Sequence, residues 1–107
     1  MREVLSSKTI LNRLHELMPD LQNTYGVQRM ALYGSFARGG ASLSSDVDLL
    51  VELNRPLGLE FVRLADLLEE KLGRPVDLAT FDSLRRSRKD PRRARMADEI
   101  ERTLVYV

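Results

Sequence analysis

The chain has 107 residues, 43% of them hydrophobic, which suits one compact domain over 1–107 and excludes a two-domain enzyme. Its 17 basic and 16 acidic residues nearly cancel, so a net charge of +1 gives no overall pull toward nucleic acid or an anionic membrane. With no cysteine and one histidine, His15, disulfides, a thiolate nucleophile, cysteine-bound zinc and a histidine cluster are all excluded. The N-terminal MREVLSSKTI lacks a signal-peptide apolar run, and no segment nears the ~18–20 apolar residues of a spanning helix. A soluble protein of the reducing cytoplasm is expected.

The predicted elements alternate. Ser6 or Ser7 caps a first helix with the apolar stripe Ile10, Leu11, Leu14, Leu17 and Met18. Pro19 is expected to break it, leaving a short second helix to about Tyr25, which Gly26 ends. A first strand covers Val27 to Tyr33, and Gly34-Ser35 turns into a short helix, SFARG, closed by Gly39 and Gly40. After the turn-rich GGASLSS, in which Ser44 and Ser45 shape the turn, DVDLLVEL from Asp46 to Leu53 reads as a buried strand. A helix over about Leu59 to Leu72 follows, stopped by Gly73 and Pro75, then a third strand from Val76 to Thr80. A C-terminal helix is expected from about Pro91 to Leu104. The order α-β-α-β-α-β-α indicates an α/β domain. The apolar closing residues Leu104 to Val107 are expected to be tied down against the domain or a partner.

Two carboxylates stand out in the second strand. Asp46 and Asp48, two apart, leave the same face with Cα atoms about 6.5–7 Å apart, close enough to reach one shared cation. Without a cation they would raise one another's pKa, and a charge inside VDLLV breaks the apolar pattern for no structural gain. Oxygen donors without cysteine or a second histidine point to a hard ion, Mg²⁺ or Mn²⁺, whose remaining ligands are typically water and substrate phosphates. Asp77 repeats the anomaly between Val76 and Leu78. Three such carboxylates can hold two ions, which would acidify an attacking hydroxyl and neutralise a leaving pyrophosphate. Asp77 would stand on the hydroxyl side, as ligand or general base.

Gly34 and Ser35 complete the set. A glycine at a strand-to-helix turn lets backbone approach a phosphate, while the serine hydroxyl donates to it. Ten residues separate this pair from Asp46-Val47-Asp48. Arg38, just beyond, is either a triphosphate contact or a solvated arginine. Glu52 shares the face of Asp46 and Asp48 but lies about 13 Å beyond Asp48, too far for the same ion. Tyr33 reads as sheet packing and His15 as an exposed helix residue.

The segment GSFARGGASLSSDVDLLVE resembles the signature of the DNA polymerase beta-like nucleotidyltransferase superfamily, specifically its minimal nucleotidyltransferase branch, and the likeness runs over nearly the whole chain. The resemblance implies a mixed β-sheet flanked by helices, Mg²⁺ on Asp46 and Asp48, Asp77 as third catalytic carboxylate, and a nucleoside triphosphate on Gly34 and Ser35. It also implies a partner. Relatives of this size are commonly paired with a HEPN-domain toxin, and some neutralise it by moving AMP from ATP to one of its tyrosines. The alternatives are an antitoxin that acts by binding alone, and a transferase with a small-molecule or RNA acceptor.

The segment from Arg85 to Arg95 carries seven basic residues against Asp90 alone. It reads as a solvated helix face, an RNA-facing stripe or a protein-docking surface, and the family context favours docking over nucleic acid.

Overall fold

The computed structural model describes residues 6–39 and 46–107. The turn expected over 40–45, with Gly40, Ser44 and Ser45, lies outside them. The first helix, α1 (Ser7–Tyr25), is capped by the Ser6 hydroxyl, which accepts from the Thr9 N–H at 3.1 Å, and it ends at Gly26 in the left-handed conformation. Pro19 sits inside it and does not break it, contrary to expectation. An interior proline costs ~3 kcal/mol. Ile10, Leu14 and Leu21 are fully buried on either side of it, and each contributes ~1.5–3 kcal/mol. Burial of the continuous stripe therefore outweighs the missing hydrogen bond.

The remaining elements are β1 (Val27–Tyr33), α2 (Gly34–Arg38), β2 (Val47–Leu53), α3 (Glu60–Leu72), β3 (Val76–Thr80), α4 (Phe81–Lys89), α5 (Ala94–Arg102) and β4 (Val105–Tyr106). The sheet runs β3-β2-β1-β4. β2 and β3 are parallel, joined by the α3 crossover, while β1 is antiparallel to both β2 and β4. The mixed sheet flanked by helices is thus the architecture observed.

Strand alternation divides the interior. Met30, Leu32, Val47, Leu49 and Val51 face α1 and α3 in the larger core, where Leu64, Leu68, Leu72 and Phe36 join them. Ala31 and Leu50 face the other way, against Phe81 and Leu84 of α4 and Ala97 of α5. Asp48 and Asp77 share the parity of Leu50 and Ala79. They therefore belong to the face covered by α4 and α5, at the end of the sheet where β2 and β3 begin.

The C-terminal third differs from expectation. In place of one helix over 91–104 there are two, separated at Asp90, whose extended backbone (φ −90°, ψ 115°) is what a residue before proline adopts. The Asp90 carboxylate accepts from the Arg92 N–H at 3.0 Å and shapes the turn. α4 escapes a periodicity reading because only Phe81 and Leu84 are buried in its nine residues. Its start is fixed by the Thr80 hydroxyl, which accepts from the Ser83 N–H at 3.1 Å. The apolar tail is tied to the domain: Val105 and Tyr106 pair with β1, and the Val107 N–H donates to the Met30 carbonyl at 3.0 Å. Among the described residues no helix is long and apolar enough to cross a membrane.

Candidate active site

The parallel register of β2 and β3 sets Asp48 directly beside Asp77, at the ~4.8 Å spacing of neighbouring strands. On the other side, antiparallel pairing sets Tyr33 beside Asp48. One row across three strands is therefore Tyr33, Asp48, Asp77. Asp46 immediately precedes β2 and is exposed.

Two hydrogen bonds fix where β2 and β3 begin. The Val47 N–H donates to the Pro75 carbonyl at 2.9 Å, and the Val76 N–H donates to the Glu69 carboxylate, also at 2.9 Å. Glu69 reaches from α3 to hold the residue next to Asp77. No local pattern signals this contact, since Glu69 falls on the polar side of its helix and its target is set only by the crossover. Glu69→Ala should cost about 1 kcal/mol in a chemical-denaturation curve and reduce activity. Glu69→Gln, which keeps an acceptor oxygen, should restore most of both.

Gly34 is required twice over. Its φ of +73° lies in the left-handed region, and a Cβ built there would stand 3.1 Å from Asp48 Cγ and overlap the carboxylate oxygen. The turn that opens α2 thus lies directly against the Asp48 carboxylate. Behind it, the Ser7 hydroxyl donates to the Phe36 carbonyl, fastening α2 to the start of α1. Phe36 is fully buried beneath the turn. The Ser35 hydroxyl makes no hydrogen bond among the described residues.

The carboxylates sense one another. Burial, then the charges of Asp77 and Asp46, push the Asp48 carboxyl above its usual range, while Arg38 pulls it back. The Tyr33 phenol is pushed up to about 12, by burial first and then by Asp77 and Asp48. These shifts gather Asp46, Asp48, Asp77, Arg38 and Tyr33 into one electrostatic neighbourhood. Among the described residues, however, no three acidic or histidine side chains form a ready-made ion cluster. Tyr33, whose sequence context predicts sheet packing, also lines a cleft of about 450 Å³ with Gly34, Arg38 and residues of α5. His15 is exposed.

The basic segment is largely paired within the fold. Arg85 meets Glu52 at 3.1 Å and also Asp82, Arg88 meets Asp98 at 3.3 Å and Glu101, and Arg92 and Arg93 flank Asp90. Glu52, too far along β2 to join the carboxylates, also takes Arg29 at 3.9 Å. Arg29 in turn lies 4.2 Å from the centre of the Phe81 ring. Much of the apparent surplus therefore fastens α4 to α5 and to the sheet.

A family model of the nucleotidyltransferase domain matches residues 10–105. The chain is 34% identical, over the full length of both, to a Methanocaldococcus jannaschii protein named "putative protein adenylyltransferase". It is 36% identical to protein adenylyltransferase MntA of Thermococcus cleftensis over 82% of each chain. Among solved structures, a "putative minimal nucleotidyltransferase" aligns over 97% of this chain and 98% of its own, with a TM-score of 0.68 at 30% identity. A toxin-antitoxin crystal structure with AMP-PNP aligns over 69% of this chain and 56% of the other, with a TM-score of 0.56 at 31% identity. A toxin-antitoxin MntA-HpeT mutant, with two aspartates two positions apart changed to glutamate, aligns over 74% and 60%, with a TM-score of 0.52 at 25% identity. A domain model spanning almost the whole chain, a full-length relative and the mixed sheet agree: the chain belongs to the nucleotidyltransferase family, in its minimal branch.

Proposed function

We propose that this protein is a metal-dependent adenylyltransferase that moves AMP from ATP onto a tyrosine hydroxyl of a HEPN-domain toxin and thereby acts as its antitoxin. The observation that carries this reading is Asp48, set beside Asp77 by strand register and lying against the Gly34-Ser35 turn, with Asp46 and Arg38 within electrostatic reach. Support for the nucleotide and the partner comes from the relatives named protein adenylyltransferase and from toxin-antitoxin structures, one of them with AMP-PNP. The aspartate pair altered in the MntA-HpeT mutant has the spacing of Asp46 and Asp48.

The donor set suits a hard divalent cation. It offers carboxylate oxygens only, and the like charges that raise the Asp48 carboxyl are those a cation would offset. Mg²⁺ or Mn²⁺ bound by Asp46, Asp48 and Asp77 would supply charge neutralisation at the phosphates and acidify the attacking hydroxyl. The chain's own groups do the rest. Gly34 lets backbone approach the phosphates, the Ser35 hydroxyl donates to them, and the Arg38 guanidinium balances their charge. The acceptor oxygen forms a bond to the α-phosphorus, the α–β anhydride bond breaks, pyrophosphate leaves, and Asp77 can take the hydroxyl proton. Tyr33, protonated throughout the neutral range, stands by as a hydrogen-bond donor.

The test is intact-mass measurement of the product of the adjacent gene after incubation with this protein, ATP and Mg²⁺. A gain of one or more AMP groups mapping to tyrosine, abolished by EDTA, is expected. A tight complex with no added mass would leave an antitoxin that works by covering its toxin. Transfer only to RNA or small molecules in a substrate screen would replace the acceptor.

A further inference from the structure

We propose that the outer face of α4 and the aromatic pair beside it bind single-stranded nucleic acid, at a place separate from the transfer chemistry. Seven residues between 85 and 95 are basic, six of them arginine. Arg85 and Arg88 are held by carboxylates. Arg86 and Lys89, exposed on the same helix, make no hydrogen bond or ion pair among the described residues. Beyond them Arg92 and Arg93, 88% and 71% exposed, share the single carboxylate of Asp90. Arg85, Arg86, Arg88 and Lys89 line one hollow together with Asp82.

Arg85 and Arg88 also line a second cavity, of about 140 Å³, with Arg29, Phe81 and Tyr106, so the two are continuous across α4. A cavity of ~150 Å³ holds one benzene-sized ring. The Phe81 and Tyr106 rings are parallel, with centroids 6.2 Å apart, and the Arg29 guanidinium lies 4.2 and 5.6 Å from their centres. Phe81 is buried, but Tyr106 is 54% exposed. Cations running into a half-exposed ring and a guanidinium plane suit a chain in which phosphates alternate with bases. Arginine serves both needs, forking onto phosphate and stacking on rings. An acidic protein surface would engage the cations and leave the ring without a role. The carboxylates are remote: Arg29 opposite Glu52 stands four residue pairs along β1 and β2 from Tyr33 opposite Asp48, about 13 Å. Strand binding and AMP transfer can therefore be tested apart.

The experiment measures fluorescence anisotropy of labelled oligo(rU) and oligo(dT) with the full chain over a salt series, with polyglutamate as competitor. Binding that weakens with salt is expected, and the tighter of the two strands names the preferred sugar. Replacing both free cations, Arg86→Gln with Lys89→Gln, should reduce the slope of log affinity against log salt by about 1.4. Tyr106→Leu, which keeps an apolar side chain in β4, should weaken either strand about tenfold without changing that slope. Melting curves matching the wild type would show that both variants fold. Failure to bind either strand at low salt would overturn the proposal. So would polyglutamate competing as well as the oligonucleotides while Tyr106→Leu binds like the wild type, which would make the patch a docking surface for an acidic protein.

Discussion

Asp48→Asn is expected to abolish AMP transfer while making the protein more stable. Loss of transfer follows from the site's dependence on fixed charges at the reacting phosphate, where removing one electrostatic contributor typically costs ~10²–10³-fold in rate. The stability gain follows from linkage. The Asp48 carboxyl has a folded-state pKa above its ordinary 3.8, raised by burial and by Asp77 and Asp46. Such a group binds protons more tightly in the native state, so wild-type stability increases as the pH falls through the folded-state pKa toward 3.8, and ionised Asp48 is destabilising at neutral pH. The amide removes that repulsion. Thermal melts in EDTA at pH 7 should therefore place the variant above the wild type, and the difference should shrink as the pH is lowered through the folded-state pKa. A variant that melts lower at pH 7, or that still transfers AMP, would contradict the account.

The second large effect is expected at Gly34, and comparison with Gly73 separates its two causes. Both glycines have φ near +70°, but a Cβ at Gly73 meets nothing within 4 Å, while one at Gly34 runs into the Asp48 carboxylate. Gly73→Ala should cost only the left-handed penalty, ~1–2 kcal/mol, and leave transfer intact. Gly34→Ala carries the same penalty plus a steric conflict, worth ~1–3 kcal/mol when neighbours must shift. It also displaces a carboxylate, and a misplacement of ~1 Å can cost 10²-fold in rate. Denaturation curves and transfer rates of the two variants should therefore diverge most in activity. Equal activities would mean that the approach of the turn to Asp48 has no part in the chemistry.

The strand positions of Asp48 and Asp77 are legible because they break the apolar pattern of β2 and β3, whereas Asp46, expected in the strand, stands just before it; Gly34-Ser35 is legible because a strand-to-helix turn in that position calls for those residue types. Pairing was not legible. That Asp48 faces Asp77 on one side and Tyr33 on the other depends on register, which is set partly by Glu69 on a distant turn of α3, and no local pattern announces it. Pro19 predicts a break through its local backbone cost alone, and only the burial of Leu21 beyond it, a tertiary effect, keeps α1 continuous. The C-terminal helices differ from expectation in the opposite way. α4 has too few apolar residues to announce itself, and the Asp90-Pro91 step that separates it from α5 decides where Met96 and Ile100 stand.

The open border of the sheet carries its own consequence. β4 shields only Ala31 and Leu32 of β1, and at the far end the five residues of β3 have no outer strand among the described residues. Val, Leu, Ala and Thr on such a border would welcome intermolecular β-pairing, and an acidic side chain in their midst discourages it. Asp77 is the exposed residue of that border, so Asp77→Val is expected to raise the tendency toward fibre-like growth, read by light scattering or thioflavin fluorescence.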